Sequence, residues 1–237
     1  MNVAIVGAGI FGMAAAIETS ERGHTVTVFD QGSVPYPDAT STDVSKGIRR
    51  TWYAGDSETY VDLVEQAAAQ WRTWEEWSGK SFYHQVGGLN VTSRFEPGEP
   101  MHASVEFLRG RGADIAVMSA DEARGRFPQF RFEDDEVCVH DQWSGYIESG
   151  CAVGVIADAA RDAGVQIRES TPVSGIDEGP YGVSIVNDSS RVYVEQAVVA
   201  VGAWVGHPDF RPMKTLTGYR AGAYLVRQTL QALHKDQ

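Results

Sequence analysis

The sequence predicts an α/β protein with a parallel sheet, a three-stranded antiparallel meander and an interleaved α+β region. Residues 1–30 follow the order strand, glycine-rich turn, helix and second strand, which is typical of a parallel βαβ unit. Residues 173–176, 182–186 and 191–194 then alternate apolar and polar side chains between turn residues, as the strands of a meander do. No internal repeat or low-complexity linker separates these segments. The parts are therefore expected to interleave along the chain.

The composition is that of an ordinary globular protein. Of its 237 residues, 43% are hydrophobic and 22% are charged, which excludes the disordered, collagen-like and small disulfide-rich classes. Acidic residues outnumber basic ones 32 to 20, giving a net charge of −12. This charge disfavours nucleic acid or an anionic membrane as a partner. No apolar run is long enough to cross a bilayer, so neither a nucleic-acid nor a membrane partner is expected.

The N-terminus and the cysteines predict a cytoplasmic location. Met1 is followed almost directly by the apolar run 3–6, without the charged leader of a signal peptide, so the first strand is expected to begin at the N-terminus. Cys138 and Cys151 have neither CxxC spacing nor a nearby histidine cluster. Two free thiols are therefore expected, with no disulfide and no metal site.

A glycine-rich turn follows the first predicted strand and opens a helix. In a dinucleotide-binding unit the first glycine permits the tight turn, the second lets a pyrophosphate approach the backbone, and the third lets the helix pack closely on the sheet. The free N–H groups and the positive dipole end of the helix then hold the phosphates. This turn predicts a Rossmann-like, dinucleotide-binding unit. Its candidate binding residues are Gly7, Ala8, Gly9, Ile10 and Gly12.

Asp30 stands at the carboxyl end of the second predicted strand, 25–29. A carboxylate at this position accepts hydrogen bonds from both hydroxyls of an adenosine ribose. It argues against a 2′-phosphate on that ribose and hence against NADP. The pattern is the same for FAD and for NAD, so it does not distinguish these two cofactors.

The remaining segments alternate between loops, helices and short strands. Residues 32–55 lose periodicity and predict a long loop, and such loops in compact domains are usually functional. Helices are predicted over 57–77, near 103–111, from a capping box at Ser119 to before Pro128, and over 149–163. Strands are predicted within 82–92, from 165 to 168, and over 197–201. The core-facing stripe predicted for the first of these helices is Tyr60, Val64, Ala67, Trp71 and Trp74.

The chain resembles the D-amino-acid oxidase superfamily of flavoenzymes, most closely its branch of monomeric sarcosine oxidase and N-methyltryptophan oxidase. Beyond the glycine turn with Asp30, residues 45–50, 87–89, 144–146 and 201–204 carry the resemblance and occur in the family's order. The resemblance implies FAD rather than NAD. It also implies a discontinuous FAD-binding domain, at 1–80 and 142–211, and a partial substrate domain, at 81–141 and 212–237.

The same resemblance implies roles for further residues near the cofactor. The backbone of Val173 would meet the adenine. Ser45 belongs to the matching segment that precedes the basic residues, and it is a further candidate for cofactor binding. The residues Gly202, Ala203 and Trp204 would pass close to the cofactor.

Three basic residues, Lys46, Arg49 and Arg50, are the candidate catalytic group. In the family a basic residue lies over the flavin, and an arginine three positions later helps to hold the substrate carboxylate; Lys46 and Arg49 match these places. The spacing from Arg49 to the following helix is longer than usual, so Arg50 is the alternative carboxylate ligand. Arginine suits this task because its planar fork binds a carboxylate bidentately.

The activity that the resemblance implies is oxidation of the C–N bond of a small amino acid or N-methyl amine to an imine. Two alternative hypotheses remain: a non-catalytic or partner-dependent flavin-binding chain and, on the glycine turn alone, an NAD-linked dehydrogenase. Sequence that relatives carry after this point is missing, so a truncated member or one half of a split protein is expected. A strand predicted at 218–227 would leave an unpaired sheet edge, through which self-association or a partner chain is expected.

Overall fold

The structure, a computed structural model, describes residues 1–42, 44–51, 58–188 and 190–206. The chain divides into two compact units, Met1–Val44 with Ser149–Gln237, and Ser45–Glu148. The predicted strand at 218–227, its unpaired edge and the domain segment 212–237 lie outside the described residues.

In chain order the elements are β1 (Asn2–Val6), α1 (Ile10–Glu21), β2 (Thr25–Phe29), β3 (Lys46–Ile48), α2 (Glu58–Ser78), β4 (Tyr83–His84), β5 (Gly88–Thr92), α3 (Pro100–Gly110), β6 (Ile115–Ser119), α4 (Ala120–Arg126), β7 (Val137–Asp141), β8 (Gly145–Ile147), α5 (Ser149–Asp162), β9 (Gln166–Arg168), β10 (Val173–Gly179), β11 (Gly182–Asn187), β12 (Arg191–Val194), β13 (Gln196–Val199) and a 3-10 helix (Gly202–Gly206).

The first unit contains a parallel sheet with the strand order β13-β1-β2-β9. Its central strands are buried, and α1 packs against both β2 and α5. The antiparallel meander β10-β11-β12, which the sequence predicts, is confirmed. Ala4, Val6 and Phe29 of the parallel sheet share one hydrophobic cluster with Ile185 and Val194 of the meander. Because strand side chains alternate between faces, the meander covers one face of the sheet, and Val3 and Ile5 point to the other.

The second unit contains two small antiparallel sheets, with strand orders β3-β8-β4 and β5-β7-β6. In each sheet the central strand, β8 or β7, comes after both of its neighbours in the chain. Neither sheet is therefore a simple series of hairpins. Helices α2 and α3 supply Val61, Val105 and Leu108 to a core that also contains Ile115 of β6 and Val139 of β7. Burial of these apolar side chains is what holds the unit together.

The observed unit boundaries differ from the domain boundaries expected from the sequence. Residues 45–80 and 142–148 were expected in the first domain, but both segments cluster with the second unit. The reason is packing and pairing: Val61 of α2 lies in the core with α3 and β7, and β8 pairs with β3 and β4. The segment 32–55, expected to be a loop, contains the short strand β3. The two strands predicted within 82–92 are β4 and β5, and they belong to different sheets.

The core-facing stripe predicted for α2 is wrong for two of its residues. Tyr60 is 58% exposed and Ala67 is exposed, whereas Val61 and Ala68 are the buried residues of the helix. The buried face is thus rotated by about one residue, roughly 100° around the helix axis. Trp71 remains packed, with edge contacts to Trp74 and Phe82.

Two glycines of the sheet β3-β8-β4 give a stability test of this fold. A Cβ on Gly145 would lie 2.0 Å from the carbonyl oxygen of His84, whereas a Cβ on Gly47 would meet nothing within 4 Å. We expect Gly145→Ala to destabilise the protein by about 1–3 kcal/mol, because the neighbouring backbone must move. Gly47→Ala is the matched control and should change the melting temperature little. Equal melting temperatures for the two variants, measured by circular dichroism, would contradict the pairing of β8 with β4.

Candidate functional site

The glycine turn between β1 and α1 brings backbone atoms of three segments into close contact. Gly7 has φ +104, a conformation that glycine adopts freely, and its N–H donates to the carbonyl of Phe29 at 2.8 Å. A Cβ on Gly7 would lie 2.5 Å from the carbonyl oxygen of Ala200, and one on Gly12 would lie 1.8 Å from the carbonyl oxygen of Gly7. Only residues without a side chain fit at these two positions.

Gly9 is the residue that precedes the first turn of α1, and its backbone is extended. Gly9 has no side chain that could accept a hydrogen bond from the first N–H groups of the helix. The positive end of the helix dipole also lies at this position. The N–H of Ile10 donates to the hydroxyl of Ser41 at 3.3 Å, and a Cβ on Gly9 would lie 3.2 Å from the same oxygen. The sequence does not single out Ser41, because nothing distinguishes it within a loop rich in serine and threonine.

Asp30 links the glycine turn to the segment that follows β2. Its Oδ2 accepts the N–H of Ala8 at 2.7 Å, and its Oδ1 accepts the N–H of Gly32 at 2.9 Å. A carboxylate offers about four lone-pair positions, so two hydrogen bonds leave acceptor capacity for ribose hydroxyls. The position of Asp30 is therefore fixed by backbone groups on two sides.

The turn between β9 and β10 is also hydrogen-bonded to Asp30. The N–H of Asp30 donates to the carbonyl of Arg168, and its carbonyl accepts the N–H of Thr171 at 2.7 Å. Val173 follows two residues later and begins β10, where it pairs with Asn187. Val173 therefore lies two residues after Thr171, whose N–H is bound to the carbonyl of Asp30.

The end of β13 leads into a second turn. Ala200 donates its N–H to the carbonyl of Val6 at 2.8 Å, and Gly202 has φ +54. The ring of Trp204 lies 6.5 Å from that of Tyr36, centroid to centroid. The glycine turn and the residues that follow β13 therefore meet at the carboxyl edge of the sheet, where open α/β sheets bind ligands.

The other candidate residues belong to the second unit. Ser45 is its first residue, Lys46 begins β3 and is half-buried, and Arg49 follows that strand and is exposed. Gly47 pairs with Tyr146 of β8. The ring of Tyr146 lies 4.8 Å from the imidazole of His84, centroid to centroid, with the two planes tilted by 33°.

Arg50 is held by carboxylates of the protein. Its Nε and Nη2 donate to Asp141 at 3.0 and 3.2 Å, and its Nη1 donates to Glu65 at 2.8 Å. The guanidinium also lies 4.8 Å from the ring centroid of Trp143. Burial alone would lower the pKa of Arg50, but hydrogen bonds and Coulomb attraction to Asp141 and Glu65 raise it above its usual value.

A cavity of about 380 Å³ lies beside this cluster in the second unit. The cavity is lined by Arg50, Gln85, Asp114, Gln142 and Trp143.

In the part of the chain that the structure describes, the cysteines and the possible metal ligands do not gather at one place. Cys138 and Cys151 are both free thiols, and burial raises the pKa of Cys138. Within the described ranges, no three His, Cys, Asp or Glu side chains gather in a group that could hold a metal ion. In the same ranges no helix is long and apolar enough to cross a membrane.

A family model for FAD dependent oxidoreductases matches residues 2–234 of the chain. The chain belongs to this family. For an FAD-dependent oxidoreductase, the glycine turn with Asp30 at the edge of a parallel sheet is the expected arrangement for an adenine dinucleotide.

The curated relatives that match the chain are longer than it is. It is 26% identical over 207 residues to N-methyl-L-tryptophan oxidase of Yersinia pestis (strain Pestoides F), covering 86% of this chain and 54% of that protein. The chain thus spans about half the length of the curated relatives that it matches.

Solved structures share the fold of the chain. NikD, described as an unusual amino acid oxidase essential for nikkomycin biosynthesis, matches in its open form with a TM-score of 0.74 at 21% identity, over 86% of this chain and 51% of its own. L-proline dehydrogenase from P. horikoshii matches with a TM-score of 0.73 at 20% identity, over 86% of this chain and 53% of its own. Both likenesses show the α/β fold.

The two hydrogen bonds of Asp30 can be tested without any cofactor. In Asp30→Asn one carboxylate oxygen becomes an amide nitrogen, so either Ala8, which is buried, or Gly32 loses its acceptor. We expect the free energy of unfolding, measured in urea, to fall by about 1–3 kcal/mol. Asp158→Asn, which changes a surface pair with Arg161 in the same unit, should have almost no effect. Equal stability of the two variants would show that Asp30 does not secure the turn.

Proposed function

We propose that the first unit binds FAD at the carboxyl edge of its parallel sheet. The observation that carries this proposal is the glycine turn, where backbone contacts leave no room for a side chain at Gly7 or Gly12 while Asp30 lies alongside. The N–H groups at the start of α1 would hold the pyrophosphate. Asp30 would accept the ribose hydroxyls, and the backbone of Val173 would meet the adenine.

Further residues of the same unit would lie along the cofactor. We assign this role to Gly202, Ala203 and Trp204, which follow β13, the neighbour of β1 in the sheet. Ser45 at the start of the second unit is a further candidate contact. Family membership supports FAD over NAD for this site, and Asp30 disfavours a phosphorylated ribose such as that of NADP.

We propose that the complete protein oxidises the C–N bond of a small amino acid or N-methyl amine. Bound FAD would supply the acceptor for a hydride from the carbon beside the substrate nitrogen, and the resulting imine would then hydrolyse. The residues of the chain bind and orient the substrate. The similarity to an N-methyl-L-tryptophan oxidase and to an amino acid oxidase supports this substrate class.

Lys46 and Arg49 would supply positive charge for this reaction. We propose that Arg49 binds the substrate carboxylate through its planar fork. Lys46 would favour negative charge near the reacting atoms. Arg50 is the weaker candidate for the carboxylate, because Asp141 and Glu65 already accept three of its N–H groups.

The decisive experiment is the absorbance spectrum of the purified chain with FAD, before and after anaerobic addition of an N-methyl amino acid such as sarcosine. We expect a flavin spectrum that bleaches on addition of the substrate. A folded protein that cannot be loaded with FAD would refute the cofactor assignment, and stronger protection against thermal unfolding by NAD than by FAD would favour a dehydrogenase. A flavin spectrum without bleaching would favour a non-catalytic or partner-dependent flavin-binding chain.

A valine at Gly9 tests where the cofactor binds. Its side chain would occupy the space next to Ser41 where the pyrophosphate is expected to approach the backbone. We expect Gly9→Val to raise the dissociation constant for FAD by at least about tenfold, or about 1.4 kcal/mol, with little change in the far-ultraviolet circular dichroism. Gly150→Val, at a position of α5 where a Cβ meets open space, is the matched control. Unchanged FAD affinity in Gly9→Val would exclude the glycine turn as the site.

Replacement of Arg49 tests the proposed carboxylate ligand. Arg49→Met should retain FAD but raise the KM for an N-methyl amino acid by about tenfold or more, because a charge-assisted bidentate contact of roughly 1.5–3 kcal/mol is lost. FAD content and steady-state kinetics are the measurements. An unchanged KM would mean that another residue binds the carboxylate.

A further inference from the structure

A buried network in the second unit surrounds Arg50. Asp141 is fully buried and accepts four hydrogen bonds: two from Arg50, one from the N–H of Trp143 at 3.1 Å and one from the hydroxyl of Ser144 at 3.0 Å. A buried carboxylate is stable only when paired and hydrogen-bonded in this way. The network is therefore satisfied by groups of the protein itself.

The charges of this network favour an internal role for Arg50. Its side chain is only 11% exposed, and its guanidinium forms ion pairs with both Glu65 and Asp141. Glu65 is also paired with Arg111, at 3.4 Å, so charges of both signs compensate one another within this network. With two carboxylates of the protein already bound to it, Arg50 is poorly suited to bind an anionic substrate.

The backbone around Arg49 is anchored on both sides. Before it, β3 pairs with β8 from Lys46 to Ile48. After it, Arg50 is bound to Asp141, and Thr51 is fully buried with its hydroxyl accepting the side-chain amide of Asn90 at 2.9 Å. Arg49 thus lies in a short segment whose ends are fixed to β8, to β5 and to the end of β7.

We infer that Arg50 is a positioning residue: through its buried pair with Asp141 it holds the backbone at Arg49 in place for carboxylate binding. This inference rests on the proposed function, because it takes Arg49 as the group that binds the substrate carboxylate. Bidentate recognition requires placement to within about 0.5 Å, so a loosened backbone at Arg49 would weaken the carboxylate contact. Arg50 itself would not touch the substrate.

A double-mutant cycle on the FAD-loaded chain of 237 residues tests this inference. The probe is acetate, whose dissociation constant is measured from the change in flavin absorbance, with acetamide as the uncharged control. We expect Arg50→Met to raise the acetate dissociation constant about tenfold when Arg49 is present, but less than about twofold in the Arg49→Met background, because residues that act through one another are not additive. FAD affinity should stay the same in all four proteins.

Two results would overturn the inference. The same fold-change in both backgrounds would mean that Arg50 acts on the anion independently of Arg49. No change in either background would mean that the pair with Asp141 does not position Arg49. If instead the parent protein does not take up FAD, or shows no response to acetate, the proposed function fails and the inference fails with it.

Further variants separate positioning from a general loss of stability. Arg50→Lys keeps the buried positive charge but loses the fork, so its acetate dissociation constant should lie between those of the parent and Arg50→Met. If Arg50→Met does not fold, Ser144→Ala takes its place in the cycle, because it removes one donor to Asp141 and should weaken acetate only when Arg49 is present. Arg124→Met, which breaks surface pairs with Asp121 and Asp134, is the matched control. A similar loss of acetate affinity in Arg124→Met would overturn the inference.

Discussion

The first unit depends on the close approach of the first turn of α1 to the end of β1. Gly12 has no side chain, so the carbonyl oxygen of Gly7 can occupy the space where a Cβ would otherwise lie. The helix can therefore pack directly against the sheet. That contact sets the direction of α1, which in turn packs on β2 and α5. It also leaves the first N–H groups of the helix at the edge where β1 and β13 both end.

Sequence patterns predicted those parts of the fold whose contacts are close along the chain. The βαβ unit, the meander and the capping box at Ser119 were all confirmed, because each depends on residues a few positions apart. Strands β3, β6, β7 and β8 were missed. β3 and β8 are only three residues long, and they pair with each other across about a hundred positions of the chain. Periodicity cannot detect a strand that short.

The candidate site shows the same limit. The glycine turn and Asp30 could be recognised because their spacing is fixed by the backbone of one local unit. Ser41 and Asp141 could not, since each makes its contact from a distant part of the chain. For Arg50 the sequence shows a positive charge but not the carboxylates that bind it.

The hydrogen bonds of Asp30 have a consequence for the thermodynamics of ligand binding. Asp30 ties together the glycine turn, the start of the loop after β2 and the turn before β10. Since these contacts are made within the chain, the three segments do not have to be ordered by a ligand. Binding then loses less conformational entropy, and more of the interaction free energy appears as affinity.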